Sequence, residues 1–261
     1  MSARVVVLRG RTSDRTAGGG RGALALGGLL GEPELVGEPE PPRAQGYEDD
    51  LRDSRAAIAA AGKSLDAALD EGAYPVLLAS DCSICVATLP ALARRVPDAR
   101  VVWLDAHGDF NTPATTGSRF LGGMCLAAAC GCWDSGFGAG LDPRRVVMSD
   151  GRDLDPAERA ELDRAGVRIV APRDVADAVR GERVFLHLDL DILDPSVMAA
   201  GVPAPGGLSA DELRALLAEL ADAANLVGVE ITAFEAPEDA DERERLSVGI
   251  ARVVEPLLRI G

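Results

Sequence analysis

Seven short apolar runs punctuate the chain, at residues 5–8, 75–79, 101–104, 146–148, 167–170, 184–190 and 226–231. Each is continuous and rich in branched aliphatic side chains, the pattern of a strand buried on both faces. Between them lie longer amphipathic stretches, many alanine-rich, that predict helices over 49–71, 86–95, 123–130, 156–165, 175–180, 209–223 and 243–258. Such strand–helix alternation requires a parallel sheet with helices on both faces. Ser209-Ala210-Asp211-Glu212 predicts a capped helix start with acid in its first turn. Asp155-Pro156 predicts another, with proline at the first helical position. The Pro/Gly/Glu-rich stretches 31–44 and 201–207 read as surface loops. Gly18-Gly19-Gly20 reads as a plain flexible turn, because the Gly-Lys-Ser/Thr ending of a phosphate loop is missing. With 261 residues, no repeat and no long linker, a single domain over 1–261 is expected.

Composition removes several functions. The formal charge of −15 argues against nucleic acid and anionic membranes as partners, since phosphate recognition needs a basic face. An acidic chain instead suits metal cations and a small cationic substrate. No apolar run reaches the ~18–20 residues of a membrane span. The five cysteines are an odd number and do not read as a disulfide framework. The start lacks the order of basic, apolar and small residues that marks a secretory leader, so the expected compartment is the cytoplasm. A homo-oligomer is compatible with these features and not specified by them.

The chemistry concentrates where strands end. Residues 101–104 run into Asp105-Ala106-His107-Gly108-Asp109. Positions i, i+2 and i+4 of extended chain point to one side, so three ligand-type side chains converge at one strand's carboxyl end. That edge is where open α/β sheets place ligands. A second segment ends in Asp189-Leu190-Asp191, with His187 two residues earlier and apolar residues between. One Asp-x-Asp alone is equally a solvated turn or a helix cap. Two acidic clusters, each behind a buried strand, would repel one another unless a cation lay between them. Carboxylates with one imidazole suit Mn²⁺, and Zn²⁺ and Fe²⁺ are also compatible. His187 reads as a ligand's partner or a core histidine in preference to a ligand.

The segment Trp103-Leu104-Asp105-Ala106-His107-Gly108-Asp109-Phe110-Asn111-Thr112-Pro113 resembles a signature of the arginase (ureohydrolase) family. So does His187-Leu188-Asp189-Leu190-Asp191-Ile192-Leu193-Asp194-Pro195. Ala79-Ser80-Asp81-Cys82-Ser83 stands where the family has Gly-Gly-Asp-His-Ser. The resemblance covers essentially the whole chain. It implies a three-layer α/β/α sandwich with an eight-stranded parallel sheet and two Mn²⁺ per chain. Carried over by position, Asp105 and Asp189 would bridge the metals. Asp109 would bind the first metal, with His107 and Asp191 on the second. Cys82 replaces the first metal's histidine; a thiolate is softer and charged, and it can also be read as an inert thiol or as half of a Cys82–Cys85 redox pair. Cys85, Cys125, Cys130 and Cys132 read as small core residues.

The resemblance implies hydrolysis of a C–N bond in a guanidino or hydroxyguanidino amino acid. Asp109 would carry the proton from the attacking water to the leaving nitrogen. Gly122 stands where arginases carry a proton-relay histidine. Glu235 is the candidate guanidinium anchor, although Ala233 occupies the aligned position. Asn111, Thr116 and Ser118 match positions that hold the substrate carboxylate, and Asp155 the one that meets the α-ammonium. Asn111 and Ser118 can also be read as merely closing turns, and Asp155 as only capping the next helix. The Cys82 variant, with Ala87-Thr88-Leu89-Pro90, Leu121-Gly122-Gly123-Met124 and Trp133-Asp134-Ser135-Gly136, resembles a hydroxyguanidine-hydrolysing branch linked to antibiotic biosynthesis. The sharpest expectation is Nω-hydroxyarginine giving ornithine and hydroxyurea. The alternatives are a formimino or other amidine hydrolase and a catalytically weak binding protein.

Overall fold

A computed structural model describes residues 2–258. Its centre is an eight-stranded sheet with every pairing parallel. In chain order the strands are β1 (Ala3–Leu8), β2 (Glu34–Val36), β3 (Tyr74–Leu78), β4 (Arg100–Asp105), β5 (Val146–Asp150), β6 (Arg168–Val170), β7 (Arg183–Asp189) and β8 (Asn225–Thr232). Across the sheet they run β2-β1-β3-β8-β7-β4-β5-β6. All seven sequence-predicted strands are present. The eighth, β2, lies within the stretch read as a loop. It is a three-residue edge strand paired only with β1, and the turn residues around it, Pro33 and Gly37 among them, mask it in the sequence.

Side chains leave the sheet alternately and fill two cores. Along β4, Val101 and Trp103 enter one, while Val102 and Leu104 enter the other. The first is covered by α3 (Arg55–Asp70), α4 (Cys85–Arg95) and α5 (Cys125–Ala129). The second is covered by α1 (Gly18–Leu30), α8 (Ala210–Ala223) and α9 (Ala240–Val254). Ser209 caps α8 in a full capping box with Glu212, as its sequence predicts. The stretch 49–71 is two helices, α2 (Tyr47–Asp53) and α3, separated at Ser54.

The Gly18-Gly19-Gly20 segment corrects the sequence expectation, because it opens helix α1. A Cβ at Gly18 would lie 2.0 Å from Glu235 Oε2. At Gly19 it would lie 2.5 Å from the Ser80 carbonyl, and at Gly22 1.8 Å from the Phe234 carbonyl. The glycines are there so that backbone can press against the loops after β3 and β8. Cys132 is exposed and is not a core residue; Cys130 is partly buried and packs against the core that holds Cys82, Cys85 and Cys125. Among the described residues no helix is long and apolar enough to cross a membrane.

Candidate metal centre and active site

Segments that leave β1, β3, β4, β5, β7 and β8 at their carboxyl ends surround a cavity of roughly 330 Å³. Its floor is acidic. The carboxylates of Asp105 and Asp189, the Cys82 thiol and a His187 ring nitrogen place one ligand atom each within 4.8 Å of one another. Asp105, His107 and Asp191 form a second such set. Asp105 belongs to both, so it stands between two candidate ion positions.

Local structure fixes each side chain. The backbone amide of His107 donates to Asp105 Oδ1 at 2.7 Å, and Trp103 Nε1 donates to Asp105 Oδ2 at 3.0 Å. The backbone amide of Asp191 donates to Asp189 Oδ1 at 2.7 Å. The Cys82 thiol donates to Asp189 Oδ2 at 2.6 Å, and Thr232 Oγ1 lies 3.1 Å from the sulfur. His107 Nδ1 sits 3.0 Å from Asp191 Oδ2 and 3.4 Å from Asp105 Oδ1. Asp109 lies outside both tight sets but lines the same cavity, with φ at +48°, an uncommon value for a residue with a side chain.

The electrostatics call for cations. Burial first, and then neighbouring Asp105, hold the Asp109 carboxyl well above the usual carboxylate range. Burial and then Asp191 push Asp189 up to about 7. Burial, Asp189, Asp109 and Asp105 together raise the Cys82 thiol. Burial works against a charged His107, yet Asp105 and Asp191 outweigh it and lift the imidazole to about 11. Carboxylates, a thiol and an imidazole in mutual reach, each resisting its own or its neighbour's charge, fit a binuclear cation site.

The remaining predicted residues separate. Asn111, Ser118, Asp155 and Glu235 line the cavity; Thr116 does not. Thr116 Oγ1 instead accepts the Arg119 amide at 3.0 Å and closes a turn. Asn111 Oδ1 is buried without a partner, and Asp155 precedes helix α6 (Pro156–Ala165) without making a side-chain cap bond. Both keep hydrogen-bonding capacity for a ligand. Glu235 is held by Thr16, whose hydroxyl lies 2.6 and 2.8 Å from its two oxygens. Ala233 has φ at +57°, which turns the chain so that Phe234 is buried and Glu235 returns to the cavity.

Around these lie further residues, of which Arg15, Phe120, Glu158 and Glu230 carry no sequence signal. Arg15 lies over the Phe120 ring at 4.5 Å and donates to the Ser118 carbonyl at 3.4 Å. A Cβ on Gly122 would meet the Phe120 ring at 2.7 Å, so that ring fills the space of a side chain at position 122. Glu158, pushed up to about 7 mainly by burial, accepts the Phe110 amide at 2.9 Å and steadies the loop after Asp109. His187 and Glu230 are fully buried beneath the floor.

Two ligand sets sharing one carboxylate, at the carboxyl edge of a parallel sheet, define a binuclear-metal hydrolase of the α/β class. The arginase family model matches residues 45–257, and the chain belongs to that family. The N(omega)-hydroxy-L-arginine amidinohydrolase of Streptomyces lavendulae is 39% identical over 97% of this chain and 96% of its own length. The arginase of Bacillus caldovelox is 34% identical over 83% of this chain and 80% of its own. The crystal structure of Bacillus subtilis arginase superposes with a TM-score of 0.81 at 24% identity, covering 100% of this chain and 99% of that one. The chain is therefore an amidinohydrolase acting on the C–N bond of a small guanidino-type molecule.

Proposed function

We propose that this enzyme hydrolyses Nω-hydroxy-L-arginine to L-ornithine and hydroxyurea with two Mn²⁺ bound by Cys82, Asp105, His107, Asp109, Asp189 and Asp191. The carrying observation is the pair of buried ligand sets that share Asp105 at the floor of the cavity. Bound there, a divalent pair supplies a nucleophile at neutral pH by acidifying water.

Charge supports an amino-acid substrate. Among the described residues lining the cavity, Arg15 is the only arginine or lysine, and it stands beside Ser118; the other charged lining groups are acids and His107. A substrate with a cationic head and a zwitterionic tail fits that distribution. Its carboxylate meets Arg15, Asn111 and Ser118, its α-ammonium meets Asp155, and Glu235 anchors the guanidino head. Asp109 accepts the proton of the attacking water and delivers it to Nδ as the C–Nδ bond breaks. The oxygen stays on carbon as hydroxyurea and the nitrogen leaves as the ornithine amine.

The chain has only two histidines, and both lie in the ligand sets. No imidazole is left for a separate proton relay, and Phe120 occupies the space at Gly122. A hydroxyguanidine tolerates this, because its electron-withdrawing hydroxyl makes the group less basic and its carbon more electrophilic. Five free thiols support a reducing, cytoplasmic setting, and a place in antibiotic biosynthesis belongs to the same reading.

A panel of arginine, Nω-hydroxyarginine, agmatine, formiminoglutamate and guanidinobutyrate, run with Mn²⁺, tests the proposal. The expected result is hydroxyurea release far above urea release from arginine at neutral pH. Equal rates on arginine and hydroxyarginine would overturn it.

A further inference from the structure

Below the floor lies a row of three side chains that the mechanism does not use. Trp103, His187 and Glu230 are register partners across β4, β7 and β8. All three are fully buried. The His187 ring stacks on Trp103 with centroids 3.6 Å apart and planes 11° apart. Its Nδ1 lies 3.0 Å from Glu230 Oε1. Glu230 also accepts from the Cys85 thiol and the Thr88 hydroxyl, each at 2.8 Å. A carboxylate that already accepts two donors is an acceptor toward the ring as well, which places the proton on Nδ1 and leaves the lone pair on Nε2. Nε2 is buried and has no hydrogen-bond partner.

We propose that His187 is itself a metal ligand, supplying from β7 the imidazole that the Cys82 position lacks. A His187 ring nitrogen, the Cys82 thiol, Asp105 and Asp189 already have ligand atoms within 4.8 Å of one another. His187 stands two residues before Asp189 on the same strand, so both side chains leave the same face. A histidine serving only as packing would leave Nε2 orphaned in the core, which is costly. Glu230 then acts as the positioning residue: it fixes the tautomer and the orientation of the ring, as carboxylates behind metal-bound histidines do. The Trp103 stack holds the ring plane, and the same indole steadies Asp105. This inference rests on the binuclear centre proposed above and adds a ligand to it.

The two-histidine sequence makes a clean test. The full chain is produced with ¹⁵N-histidine, loaded with Mn²⁺, and examined by pulsed electron–nuclear double resonance. The expected wild-type spectrum contains two distinct ¹⁵N couplings, and His187→Gln retains one. Equilibrium dialysis on the same proteins is expected to show one of the two Mn²⁺ weakened about tenfold or more by His187→Gln, and by Glu230→Gln in the same direction. Two bound Mn²⁺ with a single coupled histidine in the wild type would overturn the inference and leave the metal centre standing. Failure of the wild type to take up Mn²⁺ would overturn the centre and the inference with it. Should His187→Gln fail to fold, the wild-type spectrum alone decides.

Discussion

In the proposed binding mode, Arg15 is the residue on which substrate choice turns. Its guanidinium is spread over Phe120 and tied to the Ser118 carbonyl, so it is held at the rim. An exposed ion pair is worth little, and a rim cation facing one carboxylate therefore changes binding without changing chemistry. Arg15→Gln is expected to raise KM for Nω-hydroxyarginine about three- to tenfold with kcat nearly unchanged. Turnover of the decarboxylated hydroxyguanidine should not respond. An equal loss on both substrates in steady-state kinetics would refute the assignment. Thr16→Val makes the complementary case. It removes both hydroxyl contacts to Glu235, and a fall of about tenfold in kcat/KM is expected with the fold intact. The acids of the floor stand out in the sequence because each cluster directly follows a buried apolar run, although extended spacing is not what gathers them: only Asp105 and Asp189 end strands, while Asp191 lies in a tight turn and Asp109 has a left-handed backbone. Thr16, Arg15 and Glu230 do not: a loop residue hundreds of positions from Glu235, or an acid inside an apolar strand, has no local pattern that marks its partner.

Helix α1 shows at the scale of an element why glycine-rich sequence misleads. Its glycines read as flexibility, yet on one face they are the contact surface. Gly22 sits against the Phe234 carbonyl with no room for a methyl group. Gly28, on the exposed side of the same helix, has nothing within 4 Å of an added Cβ. The two alanine substitutions should have opposite signs. Gly28→Ala is expected to stabilise by about 0.5–1 kcal/mol through helix propensity. Gly22→Ala is expected to cost about 1–3 kcal/mol or more, because backbone cannot yield as a flexible side chain would. Denaturant melts of both variants check the pair, and equal midpoints would refute the packing role. Gly22→Ala should also lower activity, since the displaced segment leads directly into Glu235. Six of the seven foreseen strands were legible for the opposite reason: double-sided burial writes a continuous apolar run into the sequence, whereas β6 is a three-residue edge strand found through the apolar run it belongs to. Strand β2, equally short and at the other edge, is set among prolines and glycines and has no such run.

At the scale of the whole molecule, the buried acids link stability, metal and pH. Asp189 is pushed up to about 7 and Glu158 to about 7, each mainly by burial. Asp14, on the cavity wall, is pushed up to about 6 by burial and then by Asp81, and His107 is lifted to about 11 by Asp105 and Asp191 against burial. All four move upward on folding, so the folded apoprotein holds more protons than the unfolded chain across this range. Their contribution is fully present below the unfolded values, near 4 for the carboxyls and 6.5 for the imidazole. It is lost as pH rises through 6 to 7 for the acids and further toward 11 for His107. The apoprotein is therefore expected to melt at progressively lower temperature from pH 5 to pH 8. Metal binding displaces the protons held by Asp189 and His107, the two of these groups that belong to the ligand sets, so the gain in melting temperature with saturating Mn²⁺ should widen over the same interval. The net charge of −15 produces a decline of the same sign through self-repulsion, but salt screens exposed charges and hardly reaches buried ones. In high salt the metal-free decline should persist in the wild type and become shallower in Asp189→Asn, which removes one of the four groups. Calorimetric scans of both proteins at several pH values, with and without Mn²⁺, would show it; a metal-induced gain that stays constant from pH 5.5 to pH 8 would break the link between the buried acids and the cation site.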